Sequence, residues 1–351
     1  MTLSSNLTTN RLSRRAFAQA ATLTLAAPWA TRTRGAAAQG SSLRVVASFS
    51  ILADWAARVG GEQADVTSIV PANGDAHTFD PDPATVAAIA DADVILMMGP
   101  SFDAWMESVI ESSNTDAAII GILDHIDLNA TEHHHDEDHE DDGHEHEDDH
   151  AHEHDDEHEE DEHAADDGHD HGGVDPHIWG DALLAARAAR VIGDALGEAD
   201  PDNADAYQQN TDAYVAELEE LDAWIHEQVD TIPEENRRIV TSHDTFGYYA
   251  AAYGFEIIGT AFGSISTEAG DPSARDIAML VEQIEESGVP AIFAENVVNP
   301  DLMQAIADEA GVELAPALYS DALGEEGSGA ATYIDMMRTN TTTIVEALGG
   351  N

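Results

Sequence analysis

A run of forty residues, 132–171, sets the first limit on how this 351-residue chain can fold. It holds thirteen histidines, twenty-two carboxylates and only five other residues, and no lysine or arginine interrupts it. Because almost nothing in the run is apolar, it cannot form a packed core, and we predict a disordered, solvated insertion. Imidazole binds zinc, copper and nickel, and carboxylates offset the charge of a cation, so the composition indicates metal handling. The simpler alternative is a charged spacer whose histidines are incidental.

Part of the run, His146-Glu147-Asp148-Asp149-His150, matches the H-E-x-x-H motif of zinc proteases. That motif requires both histidines on one face of a packed helix, and the run offers no apolar residue for packing. A repetitive sequence of histidine and acid produces such a match by chance, so we do not interpret it as a protease site. We predict instead that all thirteen histidines are weak, accessory metal ligands: His133, His134, His135, His139, His144, His146, His150, His152, His154, His158, His163, His169 and His171.

The composition of the whole chain excludes several classes of partner. The formal net charge is -57, and all thirteen basic residues are arginine. A surface this acidic repels nucleic acid and anionic membranes, so we expect neither as a partner. With 43% hydrophobic residues, the chain can still build cores for two domains. Outside the N-terminus, no apolar stretch approaches the roughly 20 residues of a transmembrane helix, so we expect no membrane span.

The N-terminus has the layout of an export signal. Arg14-Arg15 precedes a mildly apolar stretch, 18–30, and the three alanines at 36–38 suit signal peptidase. We predict a twin-arginine signal peptide over 1–38 and a mature protein that is exported and soluble, in a periplasm or elsewhere outside the cytoplasm. The chain contains no cysteine, hence no disulfide and no cysteine for lipid attachment. An uncleaved signal that acts as a tether is the alternative.

After the signal, short β-branched segments alternate with helical patterns, as in layered α/β domains. In the first half we predict strands over 43–48, 65–70, 94–98 and 117–122, and helices over 51–59 and 83–90. In the second half we predict strands over 238–241, 255–260, 291–294 and 314–318, and helices over 246–253, 274–287 and 300–310. The sequence therefore predicts two α/β lobes, each with a mostly parallel sheet flanked by helices.

A long helical segment, 202–229, joins the two halves. Six apolar residues recur in it at helical spacing: Tyr207, Tyr214, Leu218, Leu221, Ile225 and Val229. Its length exceeds that of an average globular helix, which indicates a rigid connector that limits opening of the lobes. The predicted domains are an N-terminal lobe over 39–200 that carries the insertion, a linker helix over 201–231 and a C-terminal lobe over 232–351.

Five histidines lie outside the run, and three of them are in loops that suit a binding site. His77 lies in a turn-rich loop after a predicted strand, His177 follows the run, and His243 ends another predicted strand. Asp321 also follows a strand-like segment. Because open α/β sheets bind ligands at the carboxyl ends of their strands, these four residues are the candidate site. We interpret the other two histidines as surface residues.

Three imidazoles and one carboxylate would form a closed four-coordinate shell suited to Zn²⁺. No position would remain for a reactive water, so the set favours binding over catalysis, and we predict that the protein is not an enzyme. Mn²⁺ is the competing ion, because it prefers oxygen and Asp321 can offer two oxygens. Glu295, at the end of another predicted strand, is expected near the site as support for a ligand. Spacing alone leaves open whether these side chains converge.

Three motifs occur in order along the chain: Gly74-Asp75-Ala76-His77-Thr78-Phe79-Asp80-Pro81, Asp175-Pro176-His177-Ile178-Trp179 and His243-Asp244-Thr245-Phe246-Gly247-Tyr248. They resemble motifs of the zinc- and manganese-binding receptors of bacterial ABC importers, the ZnuA/TroA-like family. The segment around Asp321 resembles the one that carries the family's fourth ligand, and the resemblance extends over about 43–348. Ala76 stands where proline is common, and Asp271 replaces a more usual glutamate, but neither change removes a ligand.

The resemblance implies that His77, His177, His243 and Asp321 bind the metal in a cleft between two lobes joined by a rigid helix. It implies Zn²⁺ as the ion, with Mn²⁺ as the alternative, and delivery to an ABC permease with its ATPase. We expect a monomer, in which the run at 132–171 is a low-affinity collector at the mouth of the cleft. A metal-sequestering or adhesion protein, which needs no permease, and a zinc hydrolase are the alternatives from other classes.

Overall fold

The computed structural model describes residues 42–128, 174–268, 270 and 272–349, which form an α/β fold with parallel sheets flanked by helices. The predicted signal peptide, 1–38, and the run at 132–171 lie outside the described residues. We refer to 42–128 together with 174–199 as the first half, and to 232–349 as the second half. The predicted fold class is confirmed.

The first half contains one four-stranded parallel sheet in the order β2-β1-β3-β4. Its strands are β1 (Leu43–Phe49), β2 (Ala64–Val70), β3 (Val94–Met97) and β4 (Ala118–Gly121). Its helices are α1 (Ser50–Gly60), α2 (Pro83–Asp91), α3 (Trp105–Ser113) and α4 (Ala182–Ala199). Successive side chains of a strand point to opposite faces, so Val45 and Ala47 enter one hydrophobic core and Val46 enters another. Helices therefore cover both faces, as a parallel sheet requires.

The second half contains two parallel strand pairs, β5-β6 and β7-β8, in place of one continuous sheet. The strands are β5 (Arg238–Thr241), β6 (Glu256–Thr260), β7 (Ala291–Glu295) and β8 (Glu313–Leu318). The helices are α6 (Gly247–Tyr253), α7 (Ala274–Ser287), α8 (Asp301–Ala310) and α9 (Tyr333–Leu348). β5 and β7 are spatial neighbours, but these two described strands share no hydrogen-bond ladder.

The long helix between the halves is α5 (Ala204–Val229). It begins two residues later than the sequence predicts, because Pro201–Asn203 forms a short 3-10 turn. All six of its predicted apolar positions are buried. They pack in one core that also holds residues of α1, α4 and α9. One face of α5 is therefore buried against helices of both halves. Among the described residues, no helix is both long and apolar enough to cross a membrane.

Local signals explain where the helices begin and end. Asp181 starts α4, because its carboxylate accepts hydrogen bonds from the backbone N–H groups of Leu183 and Leu184. Ser273 and Asp276 form a reciprocal capping box at the start of α7. That helix ends at Gly288, whose φ of 67° is left-handed and suits glycine. The helical patterns of the sequence did not predict α3, α4 or α9.

Candidate metal centre

The structure brings His77, His177, His243 and Asp321 together. Each offers one ligand atom, and these four atoms all lie within 4.8 Å of one another. His77 follows β2, His243 follows β5 and Asp321 follows β8, while His177 directly precedes a 3-10 turn. All four residues are buried. The cluster lies where loops of both halves meet, with two residues from each.

Asp321 is the common neighbour of the three imidazoles. Its Oδ2 is 3.4 Å from Nε2 of His77 and 3.0 Å from Nε2 of His243, and its Oδ1 is 3.7 Å from Nε2 of His177. Within the described part of the chain, none of the three Nε2 atoms has a hydrogen-bond partner, nor does Asp321 Oδ2. A buried polar atom without a partner is costly, and four in one place fit a bound cation.

Two of the histidines follow an aspartate by two residues, and both aspartates fix the local backbone. Asp75 Oδ1 accepts a hydrogen bond from the backbone N–H of His77 at 2.9 Å, and Asp175 Oδ1 accepts one from that of His177 at 3.0 Å. Asp175 Oδ1 also lies 2.7 Å from Nδ1 of His177, which directs Nε2 toward the cluster. The sequence analysis gave Asp175 no role, although the repeated D-x-H spacing was the signal that could have revealed it.

The segment that carries Asp321 is tied to all three histidine loops. The backbone N–H of Asn73 donates to the carbonyl of Leu323 at 2.8 Å. The indole N–H of Trp179 donates to the carbonyl of Ser320 at 2.8 Å. The hydroxyl of Thr245 donates to Asp321 Oδ1 at 3.0 Å. The first two bonds hold the backbone on either side of Asp321, and the third holds its carboxylate. Thr245 was not identified from the sequence.

Glu295 lies behind His243, on the side away from the cluster centre. Its Oε1 accepts hydrogen bonds from the backbone N–H groups of Ser242 at 2.8 Å and His243 at 3.0 Å. Its Oε2 is 2.5 Å from Nδ1 of His243. Glu295 therefore contacts a member of the cluster without joining it.

Aromatic rings form the apolar wall of the site. Phe102 packs edge-on against His77 with the ring centroids 4.7 Å apart, and Trp179 packs against His177 at 5.1 Å. Phe49 contacts both Phe102 and Trp179. An apolar wall lowers the local dielectric, which strengthens the attraction between a cation and the buried carboxylates.

The charges in the cluster are strongly coupled. Burial disfavours the charged His243 imidazole, but the carboxylates of Asp321 and Glu295 outweigh it and raise the pKa of His243 well above its ordinary value. Burial likewise opposes ionisation of Asp321, but His243, His77 and His177 outweigh it and hold the Asp321 pKa well below its usual range. Both shifts favour an ionised Asp321 beside a protonated His243 in the metal-free site.

The two other histidines of the described part of the chain lie elsewhere. His125 and His226 are exposed and lie outside the cluster. The thirteen histidines at 133–171 lie outside the described residues.

Comparison with known proteins identifies one class of protein, which binds metal ions. The model of the ZnuA family, described as zinc-uptake complex component A, periplasmic, matches residues 45–347. The manganese-binding lipoprotein MntA of Halalkalibacterium halodurans is 35% identical over 314 residues, or 90% of this chain and 91% of MntA. The zinc-binding protein TroA of Treponema pallidum is 35% identical over 179 residues, or 50% of this chain and 57% of TroA. The solved structure of TroA covers 88% of this chain and 99% of its own, with a TM-score of 0.72 and 25% identity.

These relatives agree on the class of protein but not on the metal. MntA is named for manganese and TroA for zinc. MntA is also named a lipoprotein, whereas this sequence contains no cysteine, so that part of its description is not carried over. The class is a metal-binding receptor of a transporter and not an enzyme. The chain belongs to the ZnuA family, the extracytoplasmic, metal-binding components of ABC importers.

Proposed function

We propose that this protein captures Zn²⁺ with His77, His177, His243 and Asp321 and delivers it to the permease of an ABC importer. The observation that carries the proposal is the set of three buried Nε2 atoms that face one buried carboxylate without hydrogen-bond partners among the described residues. Three imidazole nitrogens and one carboxylate are a donor set typical of zinc. The two pairs of ligands come from different halves, so a bound ion would bridge them, and release would require the halves to separate.

The local charges suit capture and release of a divalent ion. Asp321 and Glu295 are both buried, and two carboxylates balance the charge of one M²⁺ ion. Binding would displace the extra proton of His243, because a metal takes the place of a proton on Nε2. Four protein ligands leave no open position for an activated water, which favours transport over hydrolysis.

Mn²⁺ is the second candidate ion, and two observations favour it. MntA, which is 35% identical, is named for manganese. In addition, both oxygens of Asp321 face imidazole nitrogens, so the carboxylate could bind through two oxygens and give the extra oxygen ligand that manganese prefers.

The test is a competition assay in metal buffers, with a chelator setting free Zn²⁺ or Mn²⁺. We expect one tight zinc site in the full chain, a loss of at least about a hundredfold in His243→Gln, and Mn²⁺ bound much more weakly. His226→Gln is the matched control, because His226 is an exposed histidine outside the cluster. Tighter binding of Mn²⁺ than of Zn²⁺ would overturn the assignment of the metal.

The same assay on a chain without residues 132–171 separates the cluster from the run. We expect one tight site to remain, with a change in capture rate or metal preference if the run is a low-affinity collector. If tight binding disappears with the run, the cluster is not the receptor site.

The permease and ATPase can be tested by transport. Proteoliposomes that contain the permease with its ATPase should take up zinc only when the loaded receptor is added outside, and His243→Gln should not support uptake. Uptake at the same rate without the receptor would contradict delivery. We also propose that the protein is exported by the twin-arginine route, which N-terminal sequencing of protein from the native host tests. We propose further that the receptor is a soluble monomer, which sedimentation of the same protein tests.

A further inference from the structure

We propose that Glu295 is a positioning residue of the metal site, which fixes the proton of His243 on Nδ1 and so leaves Nε2 free to bind the cation. The inference rests on the proposed function of the cluster and adds a residue that is not itself a ligand. It concerns which nitrogen of one ring carries the proton.

The two oxygens of Glu295 have different partners. Oε1 accepts the backbone N–H groups of Ser242 and His243, so the position of the carboxylate is fixed. Oε2 is in ion-pair contact with Nδ1 of His243 at 2.5 Å, and among the described residues neither atom has a hydrogen-bond partner. A carboxylate only accepts, so the shared proton belongs to Nδ1. The lone pair of the neutral ring then lies on Nε2, which faces Asp321 at 3.0 Å.

A purely structural role would need only Oε1. Asp103 provides a comparison, because it is also fully buried and accepts two backbone N–H groups after a strand, from Met98 on Oδ2 at 2.7 Å and from Gly99 on Oδ1 at 2.9 Å. Asp103 is not a member of the metal cluster. Asp103 uses both oxygens for the backbone, whereas Glu295 accepts both backbone N–H groups on Oε1 and has Oε2 left to contact His243.

Glutamine at position 295 would separate the two roles. It has the same shape, and its carbonyl can still accept both backbone N–H groups. Its NH₂ group would then face Nδ1 of His243, and two donors cannot share a hydrogen bond. The ring would have to present a bare Nδ1 and carry its proton on Nε2, where the metal should bind.

The experiment compares the full-length wild type with Glu295→Gln and Asp103→Asn. Zinc affinity is measured by chelator competition and folding by thermal unfolding of the metal-free proteins. We expect Glu295→Gln to lower zinc affinity by about 10- to 100-fold, as loss of the partner of a metal-bound imidazole commonly does. Asp103→Asn places its NH₂ group against one of the two backbone N–H groups and should lower Tm, but it should leave zinc affinity within about threefold of the wild type. Equal losses of affinity in both variants would reduce Glu295 to a structural residue.

A second measurement does not depend on the folding of any variant. NMR of the wild type with ¹⁵N-labelled histidine and bound ¹¹³Cd²⁺ should show cadmium coupling to Nε2 of His243 and a proton on Nδ1. Coupling to Nδ1, or a bare Nδ1, would overturn the proposal. Wild-type protein without a stoichiometric site would instead contradict the proposed function, whereas equal affinity in the wild type and Glu295→Gln would contradict only the positioning role.

Discussion

The two halves of the molecule hold their strand ends together in different ways. In the first half, one continuous hydrogen-bond ladder joins four strands, and His77 and His177 lie in loops beyond it. In the second half, no ladder joins the described strands β5 and β7, and the side chain of Glu295 bridges them by accepting two N–H groups at the end of β5. Backbone hydrogen bonds join the strands of the first half, whereas a buried carboxylate links two strands of the second half.

The buried negative charge around the metal cluster also lies in the second half. The second half supplies the two fully buried carboxylates that contact His243, Asp321 and Glu295, and that histidine itself. The first half contributes two imidazoles, whose supporting aspartates are less buried, since the side chain of Asp175 is 32% exposed. Water can replace an exposed partner but not a buried one. Changes in the second half should therefore weaken metal binding more than equivalent changes in the first.

The largest effect is expected from Asp321→Asn. The amide keeps the shape of the side chain but removes the only carboxylate that faces all three Nε2 atoms in the described cluster. We expect a loss of zinc affinity of at least about a hundredfold, since removal of one partner of a buried charged pair costs about 3–5 kcal/mol. Chelator competition measures it, with Asp175→Asn as the first-half comparison. An equal or larger loss in Asp175→Asn would contradict the division of charge between the halves.

Zinc affinity should also depend on pH through His243. Because the pKa of His243 is raised, its charged form stabilises the metal-free fold, and this contribution is fully present below the ordinary histidine pKa. The contribution is lost as pH rises through the raised pKa. Asp321, whose pKa is lowered, stays ionised across the neutral range. Binding should therefore release at least one proton, and zinc affinity should rise by about tenfold per pH unit over the range in which the metal-free His243 is protonated.

Calorimetry in two buffers with different ionisation enthalpies counts the released protons. Zinc is kept below one equivalent so that the tight site is observed. His226→Gln should release as many protons as the wild type, because His226 is exposed and outside the cluster. An affinity that is constant from pH 6 to 8 would contradict proton displacement at His243.

The sequence predicted the elements of the fold better than their pairing. All eight predicted strands are present with ends shifted by at most a residue or two, because β-branched segments bounded by turns are a local signal. The second half consists of two strand pairs, and Glu295 reaches from one pair to Ser242 beside the other, a contact that no local pattern records. Likewise, loop position selected the four clustered residues, but their convergence depends on distant bonds such as that from Asn73 to Leu323. Asp175 was overlooked although its D-x-H spacing is local.

A smaller effect is expected at a direct bond between the halves. The hydroxyl of Thr267 donates to Asp75 Oδ2 at 2.6 Å, and Asp75 in turn holds the backbone of His77. Thr267→Val removes that bond, and a net hydrogen bond contributes about 1 kcal/mol, so zinc should dissociate about fivefold faster. Stopped-flow transfer of zinc to a chelator measures the rate.

The matched control is Thr78→Val. Thr78 donates to the same oxygen of Asp75 at 2.9 Å, but it lies in the first half. We expect this variant to dissociate zinc at nearly the wild-type rate, because the bond between the halves remains. Equal acceleration in both variants would show that Asp75 acts only on its own loop.

The smallest effect is expected where a carboxylate of the first-half sheet is exposed. Asp93, before β3, accepts hydrogen bonds from Nε and Nη2 of Arg44 in β1, and the two side chains are 40% and 53% exposed. Arg44 lowers the pKa of Asp93, so this pair stabilises the fold above the ordinary carboxyl pKa and loses its effect as pH falls through the lowered value. Solvent screens exposed pairs, and the backbone ladder between β1 and β3 remains in Arg44→Gln. We therefore expect unchanged zinc affinity, a small fall in Tm at neutral pH and no difference from the wild type in strong acid. A fall in Tm as large as that of Asp103→Asn would show that burial does not distinguish the effects of these two carboxylates on stability.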